Sequence, residues 1–393
     1  GFIIPIFAKN ATMKKGLKWL IGIAFFFIFL IYLFQVDYIF SGIRTIYFTG
    51  NNTAFISDYK YFDNREITAS NPEPWLIHKQ YNKIEASESL KEINRQRKTK
   101  SFLVIKNDSI VFEKYYDGYS ESSISNSFSV TKSIVVSMLW KAIMLGYIKG
   151  VDQPVSDFFD EYKVGLASKL TVGNLASMSS GMDWSEEYYT PFNITAESYF
   201  TKDLRPVILN RKIVNEPGKS FKYLSGDTQL LGMVIEKASK STLSDFLEKY
   251  FWNAMGAENT ALWQLDSKKN GMEKAYCCFS ATAKDFARFG KLYINNGMWN
   301  DKKILDSLYI NLSLNPVFEK SPYYGYGWWL YEFEGKKVFT MNGHRGQFII
   351  SFPDENIIIV RQGEFNNKVE EGNGTSDLEH YIAEGYKIAS STN

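Results

Sequence analysis

Ser129-Val130-Thr131-Lys132 is a spacing that can do chemistry. On a helix, a step of three residues puts both side chains on one face, one turn apart. A serine hydroxyl is a poor nucleophile until a base takes its proton. A lysine can be that base if burial or nearby positive charge brings its pKa down toward neutrality. The positive end of a helix then favours an oxyanion forming beside the serine. By itself the four-residue pattern is weak, since Ser129 could equally be an ordinary helix cap. Two later stretches keep it company: Tyr223-Leu224-Ser225, after the turn at Pro217-Gly218, and His344-Arg345-Gly346-Gln347, between two strand-like runs.

Rival chemistries find less support. The three histidines, His78, His344 and His380, are far apart, and no HExxH offers zinc ligands on a helix. Neither a phosphate-binding G-x-x-x-x-G-K-[ST] nor a G-x-G-x-x-G after a strand occurs. No metal or cofactor is expected. Forty-five basic residues against 43 acidic ones give a net charge of +2, without the basic surplus of a nucleic-acid binder. Asp183, Glu186 and Glu187 suggest a carboxylate pair, but with no partner in the sequence they read as a solvated loop. The two cysteines, Cys277 and Cys278, are adjacent; neighbours rarely make an unstrained bridge, so they read as two small buried residues.

The elements that must hold these residues can be traced along the 393-residue chain. Phe102 to Lys106 and Ile110 to Tyr115 are β-prone runs around a turn at Asn107-Asp108-Ser109. Ser129 to Leu145 reads as a helix stopped by Gly146. The stretch from about 150 to 300 is mostly helical in pattern, with helices expected over Thr228 to Lys240 and Thr282 to Asn295. Four short runs return to strand: Tyr326 to Glu332, Lys337 to Met341, Gln347 to Phe352 and Ile357 to Gln362. A closing helix spans Leu378 to Ala389. Strands from both ends thus flank a helical middle, the pattern of an α/β (α+β) sheet completed by distant segments with a helical subdomain inserted.

At the front, Trp19 to Val36 holds 18 residues without a charge, about 27 Å as a helix and close to a bilayer core. Lys9, Lys14, Lys15 and Lys18 precede it with no acid among them, which by the positive-inside rule leaves residues 1–18 in the cytoplasm. No A-x-A site follows, so an uncleaved signal anchor is expected rather than a cleaved leader. The rest would stand on the periplasmic or extracellular side of the cytoplasmic membrane. Met13 sits just before the basic cluster, so residues 1–12 are set aside as possibly foreign to the natural chain. The expected organisation is an anchor over 19–36, a lead-in over 37–98 and a catalytic domain over 99–393.

The order S-x-x-K, Y-x-S, H-x-G resembles the class C β-lactamase and penicillin-binding-protein superfamily of serine hydrolases. Leu175 to Trp184, Ala281 to Gly290 and Tyr324 to Trp329 also resemble its motifs, and the likeness extends from about 98 to 365. The nearest flavour is the branch of 6-aminohexanoate-dimer hydrolase and family VIII-type esterases. The resemblance implies a mostly antiparallel sheet flanked by helices. It also implies roles: Ser129 as acylated nucleophile, Lys132 as general base and Tyr223 in the proton relay to the leaving group. The backbone N–H groups of Ser129 and Gln347 would form the oxyanion hole. Ser225, His344, Arg345, Gly346 and, on a weaker likeness, Tyr188 would meet the substrate, Gly346 by allowing a close approach. Two positions depart from the family pattern. Ser225 stands where the family has asparagine, and His344-Arg345-Gly346 where many members have K-T-G. Both departures suit a hydrolase of esters or linear amides better than an efficient β-lactamase. The alternatives are a D,D-peptidase or weak β-lactamase acting on cell-wall peptides and, in another class, a non-catalytic peptide- or glycan-binding module.

Overall fold

The computed structural model describes residues 6–33, 36–365 and 376–392. Twelve α-helices are found among them: α1 (Ile6–Leu33), α2 (Tyr38–Thr45), α3 (Glu88–Gln96), α4 (Val130–Met144), α5 (Val172–Ala176), α6 (Ile194–Phe200), α7 (Leu204–Leu209), α8 (Ser225–Ser239), α9 (Leu243–Leu247), α10 (Ala283–Ile294), α11 (Ser307–Ser313) and α12 (Ser376–Ser390). The strands are β1 (Asn64–Ile67), β2 (Leu76–Ile77), β3 (Thr99–Lys106), β4 (Ser109–Tyr115), β5 (Ser125–Asn126), β6 (Ala261–Gln264), β7 (Phe279–Ala281), β8 (Met298–Trp299), β9 (Lys302–Lys303), β10 (Trp329–Phe333), β11 (Lys336–Gly343), β12 (Gln347–Phe352) and β13 (Ile357–Gly363).

The main sheet runs β10-β11-β12-β13-β3-β4-β2, antiparallel throughout except where the short β2 joins β4. Its centre is the pairing of β13 with β3, more than 250 residues apart, with Ile359 opposite Val104 and Val360 opposite Leu103. These runs are apolar on both faces because each face is covered. On one side, Leu103, Ile105, Ile349, Ile358 and Val360 join a large core with α4 and α10; on the other, Phe102, Val104, Phe348 and Ile359 pack with α12. The hairpin between β3 and β4 turns where expected, with Asn107 and Asp108 both at positive φ (48° and 60°). That geometry matches the twist of the flanking strands. Gly146, φ 75°, follows α4 as expected.

The lead-in is more structured than a connecting segment. β1 pairs with β6 in a second sheet of order β1-β6-β7-β5, whose far edge leads into the nucleophile loop. Buried Asp58 fastens that corner: its carboxylate accepts hydrogen bonds from Asn126 Nδ2 (2.9 Å), Tyr199 Oη (2.6 Å) and Gln264 Nε2 (3.0 Å). The expected helical middle ends earlier than 300, because α10 packs on the main sheet rather than within the subdomain.

Two expectations change here. Among the described residues, no helix is long and apolar enough to cross a membrane. α1 ends at Leu33 and Asp37 precedes α2, so the charge-free run from Trp19 to Val36 is not one described helix; positions 34 and 35 lie outside the described residues. Many α1 side chains, including Trp19, Leu20, Phe25 and Phe29, are exposed. Cys277 and Cys278, expected as two small buried residues without a bridge, are buried but bonded to each other. Cys278 takes a left-handed φ of 72°, a turn that sequence spacing does not reveal.

Candidate active site

Ser129 sits at the start of α4 in helical conformation, and its side chain caps no backbone N–H. The hydroxyl is therefore not spent as a helix cap. The preceding Phe128 is held at φ 50°, unusual for an aromatic residue. Its N–H donates to Asn126 Oδ1 (3.0 Å), and Asn126 in turn is held by Asp58. The sharp turn that presents Ser129 is thus fixed through buried polar contacts reaching back into the lead-in.

One turn along α4, Lys132 Nζ lies 2.8 Å from Ser129 Oγ and 2.9 Å from the carbonyl oxygen of Tyr276. Lys132 is only 2% exposed. Burial lowers its pKa to about 8, with Glu186 pulling weakly the other way. In its neutral form the amine donates to Tyr276 and offers its lone pair to the Ser129 hydroxyl. Tyr223, just before α8, has its ring 4.9 Å from Lys132 Nζ. Burial pushes its pKa up, while its hydrogen bond with Ser129 pulls the other way. Tyr223 therefore stays a phenol, able to pass a proton on. Tyr324 and Trp329 flank its ring at 6.1 and 5.4 Å between centroids.

The segment between β11 and β12 closes the other side. A Cβ on Gly343 would stand 2.1 Å from the Ser127 carbonyl oxygen, so β11 reaches the nucleophile loop only because this residue is glycine. Gly346 is at a positive φ of 77° after Arg345 at 61°. Gln347 opens β12. Its side chain is locked onto Gly363, donating to the carbonyl at 2.6 Å and accepting from the N–H at 3.2 Å. His344 lies against Phe128 and Tyr188 (centroids 5.4 and 5.2 Å). Burial, then the Arg345 charge, lowers its pKa to about 3, so it is neutral at ordinary pH. Arg345 turns to the Glu364 carbonyl (2.9 Å) and lies over Phe365.

Glu186 is the residue that sequence reasoning missed. The sequence predicts a solvated loop here. Its carboxylate accepts from the Ser225 N–H and hydroxyl at the start of α8, the latter at 3.1 Å, and from Tyr188 Oη at 2.7 Å. Helix starts favour an anion, and this one binds across to a loop that sequence distance hides. The only available hint was the acidic pair in Ser185-Glu186-Glu187-Tyr188-Tyr189. A cavity opens beside Ser129, lined by Tyr188, Ser225, Tyr276, Cys277 and His344 among others. Among the described residues, the side chains lining it include no lysine or arginine and one acid, Glu187; Tyr223, Arg345 and Gly346 do not line it.

The Beta-lactamase family profile matches residues 83–381. This chain belongs to the Beta-lactamase family. Its sequence is 24% identical over 210 residues to 6-aminohexanoate-dimer hydrolase of Paenarthrobacter ureafaciens, covering 51% of this chain and 53% of that one. It is 22% identical over 185 residues to Protein flp of Staphylococcus aureus (strain MW2), covering 43% and 35%. The chain thus spans about half the length of the first of these curated relatives and about a third of the second. Among solved structures, it superposes on a candidate 6-aminohexanoate-dimer hydrolase from Bacillus anthracis with a TM-score of 0.71 and 21% identity, over 86% of this chain and 91% of that one. A penicillin-binding protein from Bacillus halodurans gives 0.59 at 16% identity, over 75% and 98%. A class C β-lactamase gives 0.58 at 15%, over 81% and 99%. These likenesses support the β-lactamase and penicillin-binding-protein-like fold.

Proposed function

We propose that this Beta-lactamase family member is a serine hydrolase that cleaves an ester or linear amide through an acyl-enzyme on Ser129. The observation that carries the reading is the 2.8 Å contact between Ser129 Oγ and a buried Lys132 whose pKa is brought down to about 8. Neutral Lys132 takes the Ser129 proton as Oγ attacks the carbonyl carbon. The backbone N–H groups of Ser129 and Gln347 hold the resulting oxyanion. The leaving group takes its proton from Tyr223, which recovers one from Lys132. Water then repeats the sequence on the acyl-enzyme.

Esters and linear amides are favoured over cell-wall peptides and β-lactams because, among the described residues lining the cavity, no lysine or arginine is offered to a substrate carboxylate: His344 is neutral and Arg345 is turned to Glu364. Fluorophosphonate labelling tests the chemistry; an adduct on Ser129 is expected, and its absence leaves a binding module as the better account. A panel of p-nitrophenyl esters, linear amides, D-Ala-D-Ala peptides and nitrocefin tests the class. Turnover of the esters with slow or absent nitrocefin hydrolysis is expected, and fast nitrocefin hydrolysis would reverse the order.

The same proposal places the domain on the periplasmic or extracellular face of a cytoplasmic membrane. That placement rests on the charge pattern around residues 9–36 and the exposed apolar side chains of α1, not on a described spanning helix. Protection of the domain from protease added to spheroplasts would contradict it.

A further inference from the structure

The cavity beside Ser129 has an unusual second wall. One side comes from the motif residues Ser129, Ser225 and His344, with Tyr276 beside them. The other comes from α2 and the residues after it, including Tyr38, Gly42, Ile43, Ile46 and Ala54. All of these precede residue 83, where the family match begins. The segment is anchored to the site. Tyr38 Oη donates to the Pro191 carbonyl (3.0 Å), and Thr53 Oγ1 donates to the Tyr188 carbonyl (3.1 Å). α2 lies close on α6: a Cβ on Gly42 would touch the Phe200 ring at 3.4 Å. Tyr38 and Thr45 of α2, and Ile46 after it, are buried.

Resting on the acyl-enzyme reading above, we propose that α2 and Phe200 form the binding site for a long apolar acyl arm, and that this N-terminal helix sets the enzyme's acyl-chain specificity. The direction follows from Tyr223. It supplies the leaving group's proton and packs in the ring cluster of Tyr324 and Trp329, neither of which lines the cavity. The alcohol or amine therefore departs toward that cluster, and the acyl part is left pointing into the cavity. With mostly apolar walls, Glu187 as the one charged side chain among the described ones and no lysine or arginine, the cavity favours an uncharged alkyl or aryl chain over an anionic one.

The test is kcat/KM of the full chain for p-nitrophenyl esters from acetate to dodecanoate. Burying each methylene is worth at most about fourfold, so a total rise of about tenfold or more from acetate to octanoate is expected. Gly42→Leu, and separately Ala54→Leu, narrows the cavity from the α2 side. Each should lower the octanoate-to-acetate ratio about tenfold by raising KM for the longer chain. Wild-type enzyme that labels at Ser129 and hydrolyses the acetate ester, yet shows no gain with acyl length, overturns this inference and leaves the hydrolase reading standing. So does a gain that follows the length of the alcohol in acetate esters instead of the acyl chain. Absence of a Ser129 adduct removes the underlying reading itself.

Discussion

Lys132 can act as a base only while it is neutral, so the rate must follow its titration. Burial brings its pKa down to about 8. About a tenth of the molecules then hold a neutral amine at pH 7 and about nine-tenths at pH 9, so kcat/KM should rise roughly tenfold between them and level off above. Glu186 supplies the one charge that pulls this pKa upward. Glu186→Gln removes the charge but keeps an oxygen able to accept from Ser225, so the rising limb should move to lower pH and activity at pH 7 should increase. Buried Asp227 is also pushed up to about 8, by burial, and could mimic the limb. Asp227→Asn separates the two, because it abolishes a limb due to Asp227 and keeps one due to Lys132. The assay is kcat/KM for a p-nitrophenyl ester from pH 6 to 10, corrected for spontaneous hydrolysis. A rate flat across that range, or a limb that moves to higher pH in Glu186→Gln, refutes the reasoning.

Other outcomes follow from the same contacts. Ser129→Ala should abolish labelling and turnover while leaving the unfolding midpoint nearly unchanged, since this serine caps nothing; wild-type turnover would remove Ser129 from the nucleophile role. Lys132→Arg should be nearly inactive, because a guanidinium keeps its proton; an active variant would rule out the base. Below pH 8, Lys132 is charged in both states and its burial cost is fully present; the cost fades as pH rises from about 8 to the unfolded value near 10.5. The displacement corresponds to roughly 3 kcal/mol, so Lys132→Met should melt higher than wild type at pH 6 and lose that advantage by pH 11. Asp58→Ala strands the donors of Asn126, Tyr199 and Gln264 and should destabilise the protein by about 3–5 kcal/mol, read by urea unfolding. A loss under 1 kcal/mol would show that the corner is held otherwise.

What the sequence alone determined is local. The step from Ser129 to Lys132 gives one helical face whatever surrounds it. The turn residues Asn107 and Asp108 and the stop at Gly146 follow from backbone sterics, and the apolar runs of β3 and β13 announce strands buried on both faces. Motif order pointed to Tyr223 and to the segment from His344 to Gln347. The tertiary structure decided everything that depends on burial and on distant neighbours. Lys132 titrates near 8 because the fold excludes water around it, which spacing cannot state. Glu186 looked like a solvated acid until the start of α8 was placed against it. Arg345 looked like a substrate clamp until its φ of 61° turned it to Glu364. Cys277 and Cys278 are bonded in a turn where Cys278 is left-handed. The role of α2 was hidden most completely. A helix some 90 residues before Ser129 becomes a wall of its cavity only through packing on α6, and no pattern in its own residues records what it will face.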